Sequence, residues 1–283
     1  MTMNKDVVKK YLVGDFSFRR ILRSLAFIYV ALLLFGLFGS NGMIFQPQPC
    51  SYVDDEQIIR IPMDGGTSIS AIYLAGPPSG FTVLYNHANA VDLGDIRSFL
   101  SLYRSLGFSV FSYDYPGYGT SPGQPTVSSA YKAADAALNY LQQQGVSTDR
   151  IIVHGRSVGG GPALYLAQKN EVAGVVVESS FVSAFRVMTR IPLSPFDKFM
   201  NLARIDDVNC PLLVIHGRDD KTIPFWHGEK LFRKAHKPKM YCWLDGASHN
   251  HIPPEAQLEY WNAIFRFCKS LKEHDKDKRE AEM

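Results

Sequence analysis

The runs "IIVHG" and "LLVIHG" are apolar almost without interruption, and each stops at a histidine and a glycine. A strand with one wet face alternates apolar and polar residues, whereas a strand covered on both faces does not. Such runs therefore belong inside a sheet that carries helices on both sides. Strands are read at 57–62, 68–74, 81–86, 109–113, 150–154, 172–178, 211–216 and 239–244. Helical patterns fall at 95–106, 127–144, 160–169, 227–235 and 258–271. The first two strands flank "MDGGTS", a hairpin-type turn. The later alternation of strand and helix implies a doubly wound, mostly parallel eight-stranded sheet with right-handed crossovers. A chain of 283 residues, 46% of them hydrophobic, is long enough to bury one large α/β core.

The N-terminus makes a separate demand. Residues 25–45, "LAFIYVALLLFGLFGSNGMIF", carry no charge and approach the roughly 20 residues that span a bilayer. Lys5, Lys9, Lys10, Arg19, Arg20 and Arg23 precede this run, and the next basic residue after it is Arg60. Because positive charge stays on the cytoplasmic side, the expected topology is a single-pass anchor with residues 1–24 in the cytoplasm and the main domain outside it. The rivals are a cleaved signal peptide, which would leave a secreted domain, and a buried core helix. "GLFGSNG" is a poor cleavage match, and a core helix should carry some polar face. Residues 46–56, rich in Pro and polar side chains, read as a linker to a domain at 57–271. Residues 272–283 read as a solvated charged tail.

"RIIVHGRSVGGGPALYLAQ" is a strand, then Gly-x-Ser-x-Gly, then an amphipathic helix. The pentapeptide alone is a weak signal, because a glycine-rich turn can hold a serine by chance. Between a strand and a helix it becomes a nucleophile elbow, where a tight turn projects Ser157 at the carboxyl edge of the sheet. The helix N-terminus behind it favours developing negative charge. A serine hydroxyl needs a base, and in this architecture the chain order is serine, acid, histidine. After the strand in "CPLLVIHGRDDKTIPFWHG" stand Asp219 and Asp220, and after that in "MYCWLDGASHNHIPPE" stand His249 and His251. His87 and His154, at strand ends, read as structural hydrogen-bonding groups, and Asp114 as an organiser of its loop.

With these segments, and with "NHANAVDLGD", "FSYDYPGYGTSPGQPT" and "VVVESSF", the chain resembles the α/β-hydrolase superfamily. It is most similar to the lid-poor branch of depalmitoylase-like α/β-hydrolase-domain proteins and their membrane-anchored relatives. The resemblance runs from the linker at Ser51 to the helix that ends near Leu271. It implies the α/β-hydrolase fold with a minimal lid. The family's His-Gly-x-x-Asp-x-x-Val/Ile-Pro pattern selects Asp220 over Asp219, and its Gly-x-x-His-Asn pattern selects His249 over His251. The resemblance thus implies a catalytic triad of Ser157, Asp220 and His249. It also implies an oxyanion hole made by the backbone N–H of Val158 and one from the loop after the third strand. That second amide is assigned to Asn89, with Ala88 and Ala90 as near alternatives. Relatives read His-Gly-Asn-Ala where this chain reads His87, Ala88, Asn89 and Ala90. Alanine resists positive φ, so the exchange at Ala88 puts the loop geometry in question. Arg156, where relatives commonly carry His or Gln, reads either as a substrate contact or as a solvent-facing elbow residue.

The implied reaction is ester or thioester hydrolysis through an acyl-serine, with no metal or organic cofactor. The substrates expected are small-molecule, lipid or acylated-peptide esters. Phe181, Phe185 and Met188, followed by Phe196, Phe199 and Met200, are candidates to line an apolar groove; their plainer reading is the packing of a short helix. A serine peptidase is the alternative on the same fold, and a non-catalytic interaction protein is a third reading that the full triad argues against. The net charge of +3 is spread without a basic stripe, so nucleic-acid binding has no support. Cys50, Cys210, Cys242 and Cys268 are widely spaced, form no metal-binding cluster and read as isolated thiols.

Overall fold

The computed structural model describes residues 17–77, 80–192 and 194–281, with side chains as far as residue 274. Of the described residues, 17–40 and 194–196 belong to one unit, and the rest to a second. In the first unit, α1 (Phe18–Leu34) continues into a wider turn at Phe35–Gly39. The Ser17 hydroxyl caps it by accepting from the Arg20 amide. None of its residues is buried, and the Phe18–Gly39 span of 22 residues contains an 18-residue stretch with a mean hydropathy of 2.3. At 1.5 Å per residue such a helix is about 33 Å long, close to the thickness of a bilayer core. By length and composition it can cross a membrane. The first 16 residues of the expected cytoplasmic segment lie outside the described residues.

The second unit is built on eight strands: β1 (Ile58–Pro62), β2 (Ser68–Leu74), β3 (Thr82–Asn86), β4 (Ser109–Tyr113), β5 (Ile151–Arg156), β6 (Gly174–Glu178), β7 (Leu212–Gly217) and β8 (Lys239–Leu244). They lie in the order β1-β2-β4-β3-β5-β6-β7-β8. The hairpin β1–β2 is antiparallel and joins β4 antiparallel, and every pairing from β4 to β8 is parallel. As the unbroken apolar runs require, β3, β4, β6 and β7 are buried at every residue. One face packs against α2 (Leu93–Ser105) and α6 (Pro254–Ala281) through Ile96, Leu100, Ile264 and Phe267. The other packs against α3 (Val127–Gln143), α4 (Gly160–Lys169) and α5 (Trp226–Lys234) through Ala133, Ala137, Leu164 and Leu231. The strand order reverses between β3 and β5, and the crevice outside such a switch point is where doubly wound sheets bind ligands. The loops that follow Asn86 and Arg156 meet there.

Three spans carry more structure than their sequence suggests. Residues 41–45 do not continue the apolar helix: Asn41–Ile44 is a separate helical turn, and Phe45 is 3% exposed, edge-on to Phe199 at 5.8 Å. Residues 46–56, read as a linker, are tied to the domain: the Ser51 amide donates to Asp92 (2.7 Å) and the Tyr52 hydroxyl to Asp114 (2.6 Å). The charged tail is helical to Ala281, since nothing in "KEHDKDKREA" stops a helix: it contains neither Gly nor Pro. Among the described residues between β6 and β7, 179–192 and 194–211, there are only short helical turns.

Candidate active site

The turn from β5 into α4 is as tight as a backbone allows. Ser157 sits in the left-handed region with φ of 54°, a strained state for a residue with a side chain. A Cβ on Gly155 would collide with the Gly159 carbonyl and the Ala163 side chain. One on Gly159 would collide with the carbonyls of Asn86 and His87. The two glycines of Gly-x-Ser-x-Gly are thus required by close approach, and the second brings the elbow against the loop after β3. Ser180, on the loop after β6, donates its hydroxyl to the Ser157 carbonyl (2.8 Å) and holds the strained residue from behind.

The three predicted polar residues come together. His249 Nδ1 lies 2.7 Å from Asp220 Oδ2, and His249 Nε2 lies 3.1 Å from Ser157 Oγ. A carboxylate only accepts, so Nδ1 carries the proton and Nε2 is free to accept from the serine. Asp220 is buried, and its other oxygen accepts from the amides of Thr222 (2.9 Å) and Ile223 (2.7 Å). His216 Nε2 donates to the Ile223 carbonyl (2.8 Å) and ties the same turn from β7. Burial holds His216 below its usual pKa. Asp219 and His251 are exposed and serve their turns through the backbone, the Asp219 amide donating to Ala247 and the His251 carbonyl accepting from Ser248.

On the other side, Val158 follows the serine and is buried. Asn89 lies on the neighbouring loop, where its carboxamide reaches Ile44, Gln46 and Tyr118. The Ala90 amide already donates to Asn89 Oδ1 (3.0 Å), which removes it as an alternative donor. The exchange at Ala88 adds no strain of its own: Ala88 lies outside the left-handed region, and Ala90 is the residue that adopts it, with φ of 58°.

The remaining expectations fare unevenly. Arg156 is part-buried, and its guanidinium is held by neighbouring groups. Its Nε pairs with Glu178 Oε1 (3.1 Å), and its Nη2 donates to the His249 carbonyl (2.7 Å). Glu178 also accepts from His154 Nε2 (3.0 Å) and the Tyr260 hydroxyl (3.1 Å), and His154 Nδ1 meets the Tyr103 hydroxyl at 2.8 Å. Burial pushes the Glu178 carboxyl up, but His154, Arg156 and Tyr260 outweigh it and hold it below its usual pKa. A buried anion paired in this way fixes the guanidinium, and with it the loop that carries His249. Reading the sequence assigned no site role to Glu178, Ser180, Tyr118 or residues 44–46, whose partners lie far away along the chain. Phe181, Phe185 and Met188 do not form one wall: Phe181 is buried against Phe199, Phe185 is half-buried, and Met188 is 79% exposed. Of the other groove candidates, Phe199 is a core residue, while Phe196 and Met200 are exposed.

The model of a family described by its alpha/beta hydrolase fold matches residues 82–203. Alpha/beta hydrolase domain-containing protein 17B of Homo sapiens is 36% identical over 192 residues, which are 66% of this chain and 67% of that protein. Alpha/beta hydrolase domain-containing protein 17C of Mus musculus is 40% identical over 186 residues, 64% of this chain and 58% of that one. Among solved structures, an esterase of Pyrococcus furiosus superposes with a TM-score of 0.67 at 17% identity, over 80% of this chain and 98% of its own. A monoacylglycerol lipase of Paleococcus ferrophilus gives 0.57 at 21% identity, over 72% and 99%. At those identities the structures share the fold. By its sheet, its elbow and its sequence relatives, this chain belongs to the α/β-hydrolase family of ester-hydrolysing enzymes, in the lid-poor branch of the α/β-hydrolase-domain proteins.

Proposed function

We propose that this protein is a serine hydrolase that cleaves carboxylic ester or thioester bonds through an acyl-serine. The observation that carries the reading is the chain of contacts from Asp220 through His249 to Ser157, at 2.7 and 3.1 Å. His249 Nε2 takes the proton of Ser157 as Oγ attacks the acyl carbon, and then delivers it to the leaving alkoxide or thiolate. In the second half His249 activates water, which attacks the acyl-serine and regenerates the hydroxyl. Asp220 keeps Nδ1 protonated and stabilises the imidazolium. The Val158 and Asn89 N–H groups bind the oxyanion of each tetrahedral intermediate.

The short β6–β7 connection supports an acyl substrate that a closed lid would exclude: a lipid, a long-chain ester or an acylated peptide. The Phe18–Gly39 helix is the membrane anchor in this reading. Arg19, Arg20 and Arg23 keep its N-terminal end in the cytoplasm and the hydrolase domain on the opposite side.

A fluorophosphonate probe should label the wild-type protein and leave Ser157→Ala unlabelled. Folded wild-type protein that resists labelling would sink the proposal. Turnover of p-nitrophenyl esters of increasing chain length should exceed that of aminoacyl-anilides; the reverse order would make the enzyme a peptidase.

A further inference from the structure

The carboxamide of Asn89 plays no part in the chemistry above, yet both its atoms are engaged. Nδ2 donates to the Ile44 carbonyl (2.7 Å), and Oδ1 accepts from the Gln46 amide (2.9 Å). A carbonyl and the amide two residues on are the pair that a neighbouring strand would read, and here one side chain reads both. The Tyr118 hydroxyl closes the arrangement by donating to Asn89 Oδ1 and accepting from the Gln46 amide (3.1 Å). Between the two bound groups, Phe45 is buried against Phe199. The Phe199 ring in turn lies against Gly161, in the first turn of α4, where a Cβ would collide with it. Residues 44–46 therefore touch the Asn89 loop directly and the helix behind Ser157 through one aromatic ring. Ala90, held at φ of 58°, shows that the loop does not rest in its intrinsic minimum. A restraint from outside the loop is needed to keep it there.

We propose that residues 44–46, immediately after the apolar helix, are the positioning element of the oxyanion loop, acting through the Asn89 side chain. The segment sets where the Asn89 N–H points, so the catalytic unit begins at Asn41 and not at the first strand. The inference rests on the reading of Ser157 as nucleophile.

The test uses the full-length protein in detergent. Asn89→Ala keeps the backbone N–H and removes its restraint. The expected result is a fall in kcat on the order of 10- to 100-fold with little change in KM, as for a donor displaced by about an ångström. Affinity for a boronic acid that mimics the tetrahedral intermediate should weaken by the same factor as kcat/KM, while affinity for a ground-state competitive ligand should hold. Phe45→Ala should reproduce the pattern and Phe45→Leu should restore most of the rate. Retention of kcat within twofold in Asn89→Ala, or equal weakening of both ligands, would overturn the proposal. Should Asn89→Ala not fold, Tyr118→Phe makes the same comparison by removing one oxygen, with a smaller expected fall and the same two ligands. Wild-type protein that is not labelled by the fluorophosphonate would instead refute the serine-hydrolase reading, so the two failures are distinct.

Discussion

Asp220 and Asn89 stand on the two sides of Ser157 and are held by opposite means. Asp220 is fixed by the amides of Thr222 and Ile223 and lies in a turn braced by His216, all within seven residues of chain. Asn89 is fixed by Ile44, Gln46 and Tyr118, each dozens of residues away. In the proposed mechanism the acid is thus held mainly within its own turn, while the oxyanion loop depends on tertiary contacts. Damage on the first side should act residue by residue and abolish proton transfer. On the second side it should pass through the loop and spare ground-state binding.

The sharpest way to break the comparison is at the acid. Asp220→Asn should lower kcat by about 10⁴-fold, because the amide leaves His249 in the wrong tautomer. Asp219→Asn, at an exposed position one residue away, should stay near the wild-type rate in the same ester assay. Equal losses would mean that the acid is misassigned.

A smaller effect is expected where the acid–base side borrows a tertiary contact. Arg156→Ala frees the His249 loop and should reduce kcat about 10-fold. Glu178→Gln should weaken the same brace, and the double variant should be no slower than the worse single variant, since both act through one network. Additive losses in steady-state kinetics would separate the two residues.

Next comes acid stability. Burial, with His216, Arg186 and Lys230 nearby, pushes His227 down to about 3, so it is neutral when folded. Unfolded histidine titrates near 6.5, so between those values the unfolded chain binds more protons and stability falls as pH falls. His227→Gln, whose amide oxygen can still accept from Val182, should flatten this loss in urea midpoints measured at pH 7.5 and pH 5. An unchanged slope would locate the acid sensitivity elsewhere.

The smallest effect concerns backbone strain. Ala90→Gly should relieve the left-handed conformation and raise stability by about 0.5–1 kcal/mol, a shift of a few degrees in a thermal melt. A lower melting temperature would mean that the alanine side chain contributes more by packing than its backbone costs.

The same contrast explains what could be read from the chain. Ser157, Asp220 and His249 each end a strand within a short pattern, so their order and surroundings are visible before any folding. The apolar runs of β5 and β7 likewise announce strands covered on both faces. Phe45 could not be read this way: it adjoins an apolar stretch and looks like its continuation, although it is buried in a different unit. Glu178 is one carboxylate at the end of "VVVE", and only the register of β5 beside β6 pairs it with Arg156. The helical tail was hidden by composition, because charge suggests solvation and says little about backbone state.

Ala88 has a consequence of its own. Its backbone conformation is one that any residue can take, although the family resemblance implies a glycine there. An alanine has fewer conformations to lose when the chain orders, which favours folding by about 0.4–1 kcal/mol without any new contact. The departure that first put this loop in doubt therefore reduces the disorder it must give up.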